Sequence, residues 1–410
     1  MHSTSRSWTP FVLMALVVMA ALMSSATPSP LYVDYQEAWG TGGTMITVVY
    51  AVYALAVLVP LLFLGRLSDA IGRRPVVIAG LVLLVLSMIA LAAAPSVSWL
   101  IAARVVQGLG VGLVTGSAAA AIIELHPSGN ARAGALTSSS TTNFGIAAGV
   151  LLAGLVATSS SSPLVHPYVL MGVILAALLA GVVFLVPETS GTGPETFRDA
   201  VRVQRIAVPV GARPAFALAS VCVIVSWSVG GVFLGLGGAI SKDLVGRSDY
   251  LVTGLVVACL QAAAALAQLV WNLRAGQEQW RRGVVIGGVT LVVGLVAASV
   301  TLEAASVPGF VAAAMVTGVG MGLLFLMGTS LVAQHAPDDA RGEIFSALFV
   351  VAYLSLGVPA VVAALLAEVV GLTTAYHLMS AVVSVIAVGA LVAVARRRPP
   401  RRSVDGPAAA

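Results

Sequence analysis

One arginine, Arg104, stands inside a long apolar stretch, and Gln107 and Gly108 follow it in the segment RVVQG. Residues at positions i, i+3 and i+4 share one face of a helix, so the guanidinium and the amide would lie side by side. A charged side chain in hydrocarbon costs several kcal/mol unless it is paired or hydrated, which makes Arg104 a functional candidate. The alternative is an arginine near the end of its helix that extends to the membrane interface.

The carboxylates that could bind protons stand near the ends of the apolar stretches. Asp34 and Glu37 follow the first stretch, Glu124 closes the fourth, and Glu368 stands near the end of the eleventh. Asp34 is either a protonatable group at the entry of a pathway or a solvated loop carboxylate. Glu124 either pairs with Arg132 or forms part of an inner gate. No carboxylate occupies the centre of a stretch, which argues against a mechanism built on a midplane acid.

The sequence offers no arrangement typical of an enzyme, a primary pump or a metalloprotein. It contains no phosphate-binding glycine loop and no nucleophile with a matching base, and its five histidines are scattered. Cys222 and Cys259 lie in apolar runs and indicate small buried side chains rather than a disulfide framework. We therefore expect neither catalysis nor a bound cofactor or metal.

The elements that position these residues are membrane spans. Hydrophobic residues make up 59% of the 410 and charged residues only 9%, with a mean hydropathy of +1.03, whereas a soluble domain carries about 25% charged residues. A span needs about 20 apolar residues, and its backbone must satisfy its own hydrogen bonds. The sequence therefore predicts an all-α polytopic membrane protein. The twelve predicted spans are 9–31, 44–64, 75–94, 98–124, 133–158, 167–186, 214–240, 250–273, 283–301, 307–333, 343–369 and 375–395.

The basic residues predict the orientation of these spans. With the N-terminus inside, all but three of the 21 fall on the cytoplasmic side; the exceptions are Lys242, Arg247 and Arg104. Positively charged loops stay in the cytoplasm, so both termini are predicted there, in a cell (inner or plasma) membrane. The net charge of +5 is explained by this placement and does not indicate nucleic-acid binding.

An internal repeat divides the chain into halves. Gly108, Gly110, Gly112 and Pro127 recur after 210 residues as glycines and a proline at 318, 320, 322 and 337. This equates the fourth span with the tenth, so each half holds six spans and the first apolar run is one of them. We predict an N-terminal half at 1–186, a cytoplasmic linker at 187–213, a C-terminal half at 214–395 and a basic cytoplasmic tail at 396–410.

The loop between the second and third spans reads GRLSDAIGRRP at 65–75 and resembles the loop signature of the major facilitator superfamily, G-x-L-x-D-x-x-G-R-R/K. The matching residues are Gly65, Asp69, Gly72, Arg73 and Arg74. The resemblance covers essentially the whole chain and implies twelve helices in two pseudo-symmetric halves of six. It also implies that this loop latches the halves together on the cytoplasmic side when the pathway opens outward.

Two further elements resemble antiporters of that family. Arg104, Gln107 and Gly108 are similar to its R-x-x-Q-G element, and the resemblance implies a role in proton exchange or in recognising substrate charge. Gly145, Gly149 and Gly154 lie in a degraded form of G-x-x-x-G-P-x-x-G-G, the drug–proton antiporter element. Val150 and Ala153 replace a proline and a glycine there. The alternative for these glycines is close packing between helices.

The solute site is predicted near the midplane between the halves, where Asn143, Trp227 and Tyr353 are the candidate contacts and Asp34 and Glu124 the candidate proton sites. The favoured function is a monomeric secondary transporter that exports small hydrophobic or amphipathic compounds in exchange for protons by alternating access. The alternative is uptake of a sugar, organic acid or amino acid by proton symport or facilitated diffusion.

Overall fold

The computed structural model describes residues 8–63, 67–128, 131–189, 208–246, 249–275, 279–337 and 341–396. Within these ranges twelve helical segments are long and apolar enough to cross a membrane, which confirms the predicted all-α fold. They are numbered span 1 to span 12 in chain order. Their helices are Trp8–Ala26 with Tyr32–Trp39, Gly43–Phe63, Arg73–Ala92, Val97–Leu125, Ala131–Thr158, His166–Leu185, Arg213–Val245, Tyr250–Arg274, Trp280–Glu303, Val307–His335, Arg341–Val370 and Leu372–Arg396.

Twelve sequential crossings give the bundle two ends. The end at which span 1 begins and span 12 finishes is called the terminal face, and the end that carries Trp39, Gly43 and Leu372 is called the distal face. A short helix, Leu67–Ile71, precedes span 3 at the terminal face. Gly65, the side chain of Asp69, most of the predicted linker (190–207) and the tail after Arg396 lie outside the described residues.

Span 1 is longer than the sequence predicts, because it is built in two pieces. Its first helix ends at Ala26, a single 3-10 turn follows at Ser29–Leu31, and a second helix runs to Trp39. Pro28 has no N–H to donate to the carbonyl four residues earlier, which ends the first helix. The second helix ends at Gly40, whose left-handed φ of 61° is typical of a helix C-terminus.

The glycine repeat corresponds to a packing repeat in the structure. A Cβ atom added to Gly108 would meet the backbone of span 2, and one added to Gly318 would meet the backbone of span 8. Gly110 faces Gly80 of span 3, and Gly320 faces Gly287 of span 9 in the same way. Span 4 and span 10 therefore hold equivalent places in two six-helix halves. The halves meet where span 5 packs on span 8 and span 2 packs on span 11.

This packing predicts the effect of a side chain at the repeat. We expect Gly318→Val to destabilise the protein by about 1–3 kcal/mol, because the added carbon meets the Leu260 carbonyl oxygen and the helices must separate. Thermal unfolding in detergent measures the change as a lower midpoint. Gly389→Val in span 12 is the matched control, since nothing lies within 4 Å of its added carbon. Equal midpoints for the two variants would contradict this account of the repeat.

Candidate functional site

Arg104 is enclosed in the first half, with no exposed surface. Its Nη1 donates to the carbonyl oxygen of Ser25 at 3.0 Å and to Gln107 Oε1, and Gln107 Nε2 donates to the carbonyl oxygen of Ser24 at 2.8 Å. The break at Pro28 leaves these two carbonyls of span 1 without their usual helical donors. The structure therefore places Arg104 inside the bundle, and the alternative of an arginine extended to the interface is wrong.

Two tyrosines of span 2 cover the guanidinium. Its carbon lies 4.2 Å from the centre of the Tyr53 ring and 6.0 Å from that of Tyr50. A cation over an aromatic face gains about 0.5–2 kcal/mol. Among the described residues, Nε and Nη2 of Arg104 have no hydrogen-bond acceptor, and no carboxylate pairs with the guanidinium. The first half thus holds a buried positive charge that aromatic rings and two carbonyls stabilise without neutralising.

The second half lacks this charge. The repeat places Ala314 opposite Arg104 and Thr317 opposite Gln107. Thr317 donates to the Ala313 carbonyl of its own helix at 2.8 Å and so forms no equivalent contact with a neighbouring span. Each half therefore has its own set of packing glycines, whereas the buried guanidinium lies in the first half.

An aromatic cluster occupies the core of the second half. The rings of Trp227 and Tyr353 meet edge to face with centres 5.0 Å apart, and Phe325 lies 5.6 Å from Trp227. Two of the three predicted solute contacts are thus brought together. Asn143, the third, lies between the halves instead, where its Nδ2 donates to Gln268 Oε1 at 3.2 Å. Phe325 and Gln268 were not among the predicted contacts, because a single aromatic or polar residue within a span is more often a packed helix residue.

The glycines of span 5 lie against two different helices. Cβ atoms added to Gly145 and Gly149 would meet backbone oxygens of span 1, whereas one added to Gly154 would meet the Tyr250 carbonyl oxygen of span 8. In return, a carbon added to Gly254 of span 8 would lie 3.1 Å from the Val150 carbonyl oxygen. Spans 5 and 8 therefore cross at close range near the distal face, and the packing alternative for these glycines accounts for all three contacts.

Polar contacts between the halves gather at the distal face. Asp34 accepts a hydrogen bond from the Tyr250 hydroxyl, and Glu37 pairs with Lys242 at 2.6 Å. Ser29 donates to the Leu234 carbonyl at 2.7 Å, and Glu368 accepts from the Thr44 backbone N–H at 3.1 Å. These four contacts close the distal face in this structure. Asp34 is a half-buried helical residue, so the alternative of a solvated loop carboxylate is wrong.

A second polar group lies at the terminal face, within the first half. Arg73 pairs with Glu124 at 3.2 Å, and Thr189 donates to the other Glu124 oxygen at 2.6 Å. The Glu188 carboxylate accepts the backbone N–H groups of Arg73 and Arg74 at 2.8 and 3.2 Å, which caps span 3. Glu124 thus pairs with Arg73; the side chain of its predicted partner, Arg132, lies outside the described residues.

The residues of the loop signature lie next to this polar group at the terminal face. Gly72 has a φ of 104°, which favours glycine, and a side chain there would collide with the Glu188 carboxylate. Arg74 donates to the Val183 carbonyl of span 6. These contacts join spans 3, 4 and 6 of one half, so the predicted latch between the halves stays a prediction. In the described ranges no three potential metal ligands come together.

Comparison with known proteins agrees with this architecture. A sequence model of the Major Facilitator Superfamily matches residues 14–272 and 216–410. An uncharacterized transporter of Rickettsia bellii is 42% identical over 86 residues, which are 20% of this chain and 21% of the relative. Multidrug resistance protein D of Escherichia coli is 29% identical over 102 residues, covering 25% and 26%. The matched segments thus span about a fifth to a quarter of these relatives.

Solved structures share the whole fold at low sequence identity. The human organic anion transporter MFSD10 (TETRAN) superposes with a TM-score of 0.70 at 17% identity, over 95% of this chain and 100% of the other. A POT family transporter crystallised with 5-aminolevulinic acid gives 0.74 at 14% identity, over 93% and 95%. With the sequence match extending over nearly the entire length and the helical arrangement in agreement, the chain belongs to the major facilitator superfamily of membrane transporters.

Proposed function

We propose that this transporter exports small hydrophobic or amphipathic compounds in exchange for protons, by alternating access between its two halves. The observation that carries the proposal is the buried, unneutralised guanidinium of Arg104. A charge enclosed without a counter-ion changes in energy whenever a proton or a charged solute arrives nearby, because the surrounding dielectric is low. Arg104 is therefore suited to link the protonation of the protein to the occupancy of its pathway.

Carboxylates at both ends of the bundle supply the candidate proton sites. Asp34 lies at the closed distal face and Glu124 at the terminal face, each within a hydrogen-bonded group. We assign the distal face to the outside of the cell membrane, with both termini in the cytoplasm. The proton then enters at the Asp34 end and leaves at the Glu124 end. The protein acts as a monomer, since each chain contains both halves.

The aromatic cluster of the second half favours an apolar or weakly cationic solute. The Trp227 side chain is half-buried and Tyr353 is 7% exposed, and we propose that their rings form part of the solute site. Aromatic faces stack on planar apolar groups and attract cations. The short similarity to a multidrug resistance protein supports the same class of solute.

Transport into inverted membrane vesicles tests this proposal. With an acidic interior, we expect vesicles that contain the protein to accumulate lipophilic cations or neutral antibiotics, and a protonophore to abolish the accumulation. Asp34→Asn and Glu124→Gln remove the candidate proton sites and should lower the gradient-driven rate at least tenfold. The exposed Glu303→Gln at the distal face is the matched control.

The opposite result would point to the alternative function. Absence of gradient-driven accumulation of any compound in the panel would contradict export. Uptake of sugars, organic acids or amino acids by right-side-out vesicles would then be measured with the same variants.

A further inference from the structure

A hydrogen bond joins the two halves inside the bundle, away from the polar contacts of the distal face. Asn143 of span 5 donates through Nδ2 to Gln268 Oε1 of span 8 at 3.2 Å. Both side chains are buried, with 9% and 2% of their surface exposed. This amide pair is therefore distinct from the contacts that close the distal face.

The amide pair lies at the depth of the aromatic cluster. Gln268 Nε2 donates to the Gly322 carbonyl oxygen of span 10 at 3.2 Å. Ser226, the neighbour of Trp227 in the chain, donates to the adjacent Met321 carbonyl oxygen at 2.9 Å. Consecutive residues of a helix are only about 1.5 Å apart along its axis. The amide pair and the Trp227 ring therefore flank the same turn of span 10.

The Gly322 carbonyl determines how both amides are oriented. A backbone carbonyl only accepts hydrogen bonds, so Gln268 presents its NH2 group to it and turns its oxygen toward span 5. Asn143 must then present its own NH2 group to that oxygen. This leaves Asn143 Oδ1 as an acceptor, and it accepts no hydrogen bond from the described residues. An amide oxygen in this state is suited to bind an N–H group of a ligand.

We propose that Asn143 Oδ1 selects solutes that carry an N–H donor, and that Gln268 is the positioning residue that keeps this oxygen available to them. The solute class is a planar, amphipathic amine. Its protonated nitrogen donates to Asn143, and its ring packs on Trp227 and Tyr353. A hydrogen bond from a charged donor is stronger than one between neutral groups, so a solute without an N–H loses affinity. This inference rests on the solute site proposed above, but not on proton exchange or on the direction of transport.

A second amide of span 8 supplies the control position. Gln261 stands seven residues before Gln268, on the same helix face and about 10 Å nearer the distal face. It is 3% exposed, and its Oε1 has no hydrogen-bond partner among the described residues. Gln261 thus offers the same chemical group two turns away from the aromatic cluster.

Three probes that share one ring system test the N–H donor. They are 1-naphthylmethylamine, its N,N-dimethyl derivative and its N,N,N-trimethyl derivative. All three are cations at neutral pH, but only the first two carry an N–H. We expect the purified protein in detergent, measured by calorimetry, to bind the first two with similar affinity and the trimethyl compound at least tenfold more weakly. The dimethyl compound separates the loss of the donor from the increase in size.

The ratio of the amine affinity to the trimethyl affinity is the readout for the variants, because a general loss of structure lowers both affinities alike. Asn143→Leu removes the acceptor and should bring the ratio close to one. Gln268→Leu frees the Asn143 amide to turn and should lower the ratio at least threefold, with binding of the trimethyl compound retained. Gln261→Leu should leave the ratio unchanged.

Several outcomes would overturn the proposal. Equal affinity of the wild type for all three probes would exclude a selective acceptor. An unchanged ratio in Asn143→Leu or Gln268→Leu, or a loss of selectivity in Gln261→Leu alone, would exclude these two residues as its source. Binding of none of the probes would overturn the solute site as well. The measurements need no gradient, so a failure of proton-driven export in vesicles is distinguished from a failure of this inference.

Discussion

Replacing Arg104 with alanine is expected to reduce gradient-driven transport at least a hundredfold while leaving the helical bundle assembled. The substitution removes the buried charge and leaves the carbonyl of Ser25 and the amide oxygen of Gln107 without their donor. Each unsatisfied buried acceptor costs about 1–3 kcal/mol, so a lower unfolding midpoint is also expected. Transport in vesicles and thermal unfolding in detergent measure the two effects separately.

Two further variants separate charge from shape. Arg104→Lys keeps the charge but loses the planar guanidinium, whose Nη1 reaches both oxygens, so it should retain a partial, gradient-dependent rate. Arg274→Ala, at an exposed position on the terminal face, removes a positive charge elsewhere and should transport at the normal rate. If Arg104→Ala transported as well as Arg274→Ala, the assignment of Arg104 to coupling would be wrong.

A side chain at Gly154 is expected to open the distal face. The glycine lies against the Tyr250 carbonyl, where spans 5 and 8 cross, so Gly154→Val must push the halves apart at that end. Overpacking of this kind costs about 1–3 kcal/mol, which is enough to reverse a balance between two conformations of similar energy. With cysteines at 37 and 242, the variant should crosslink several-fold less than its parent.

The matched control for this prediction is Gly389→Val, which adds the same side chain in open space. It should leave both the crosslinking yield and the transport rate unchanged. An unchanged crosslinking yield in Gly154→Val would mean that span 5 accommodates the side chain without moving span 8. The close crossing would then have no role in closing this face.

Helix number and the repeat could be predicted from the sequence because both depend on local pattern. A run of apolar residues crosses the bilayer regardless of its neighbours, and the glycines at 108 and 318 indicate close helix packing wherever they occur. Span 1 was predicted too short because Pro28 and Pro30 ended the pattern. A second helix forms after the break. Its formation depends on packing against span 7, which no local signal in the sequence shows.

The partners of the charged residues could not be predicted in the same way. Arg104 and Gln107 donate to the backbone carbonyls of Ser25 and Ser24 in span 1, and any residue could have supplied these carbonyls. Glu188 caps span 3 from the far side of three intervening spans, so its role depends on the fold of the half. Asp34 meets Tyr250, more than two hundred residues away, only because spans 1 and 8 share the distal face. Contacts of this kind follow from tertiary structure.

We expect the unneutralised guanidinium to make the conformational change of the transporter sensitive to voltage. Arg104 lies about 10 Å along span 4 from Val97, at about 1.5 Å per residue, and so within the membrane's electric field. Moving one elementary charge through the whole of that field changes the energy by about 2.3 kcal/mol per 100 mV. Rocking of the first half would carry Arg104 through part of the field in one direction and back in the other, so each conformational step moves charge although a full cycle returns this charge to its starting place. The membrane potential then acts on the balance between the two conformations alongside the proton gradient.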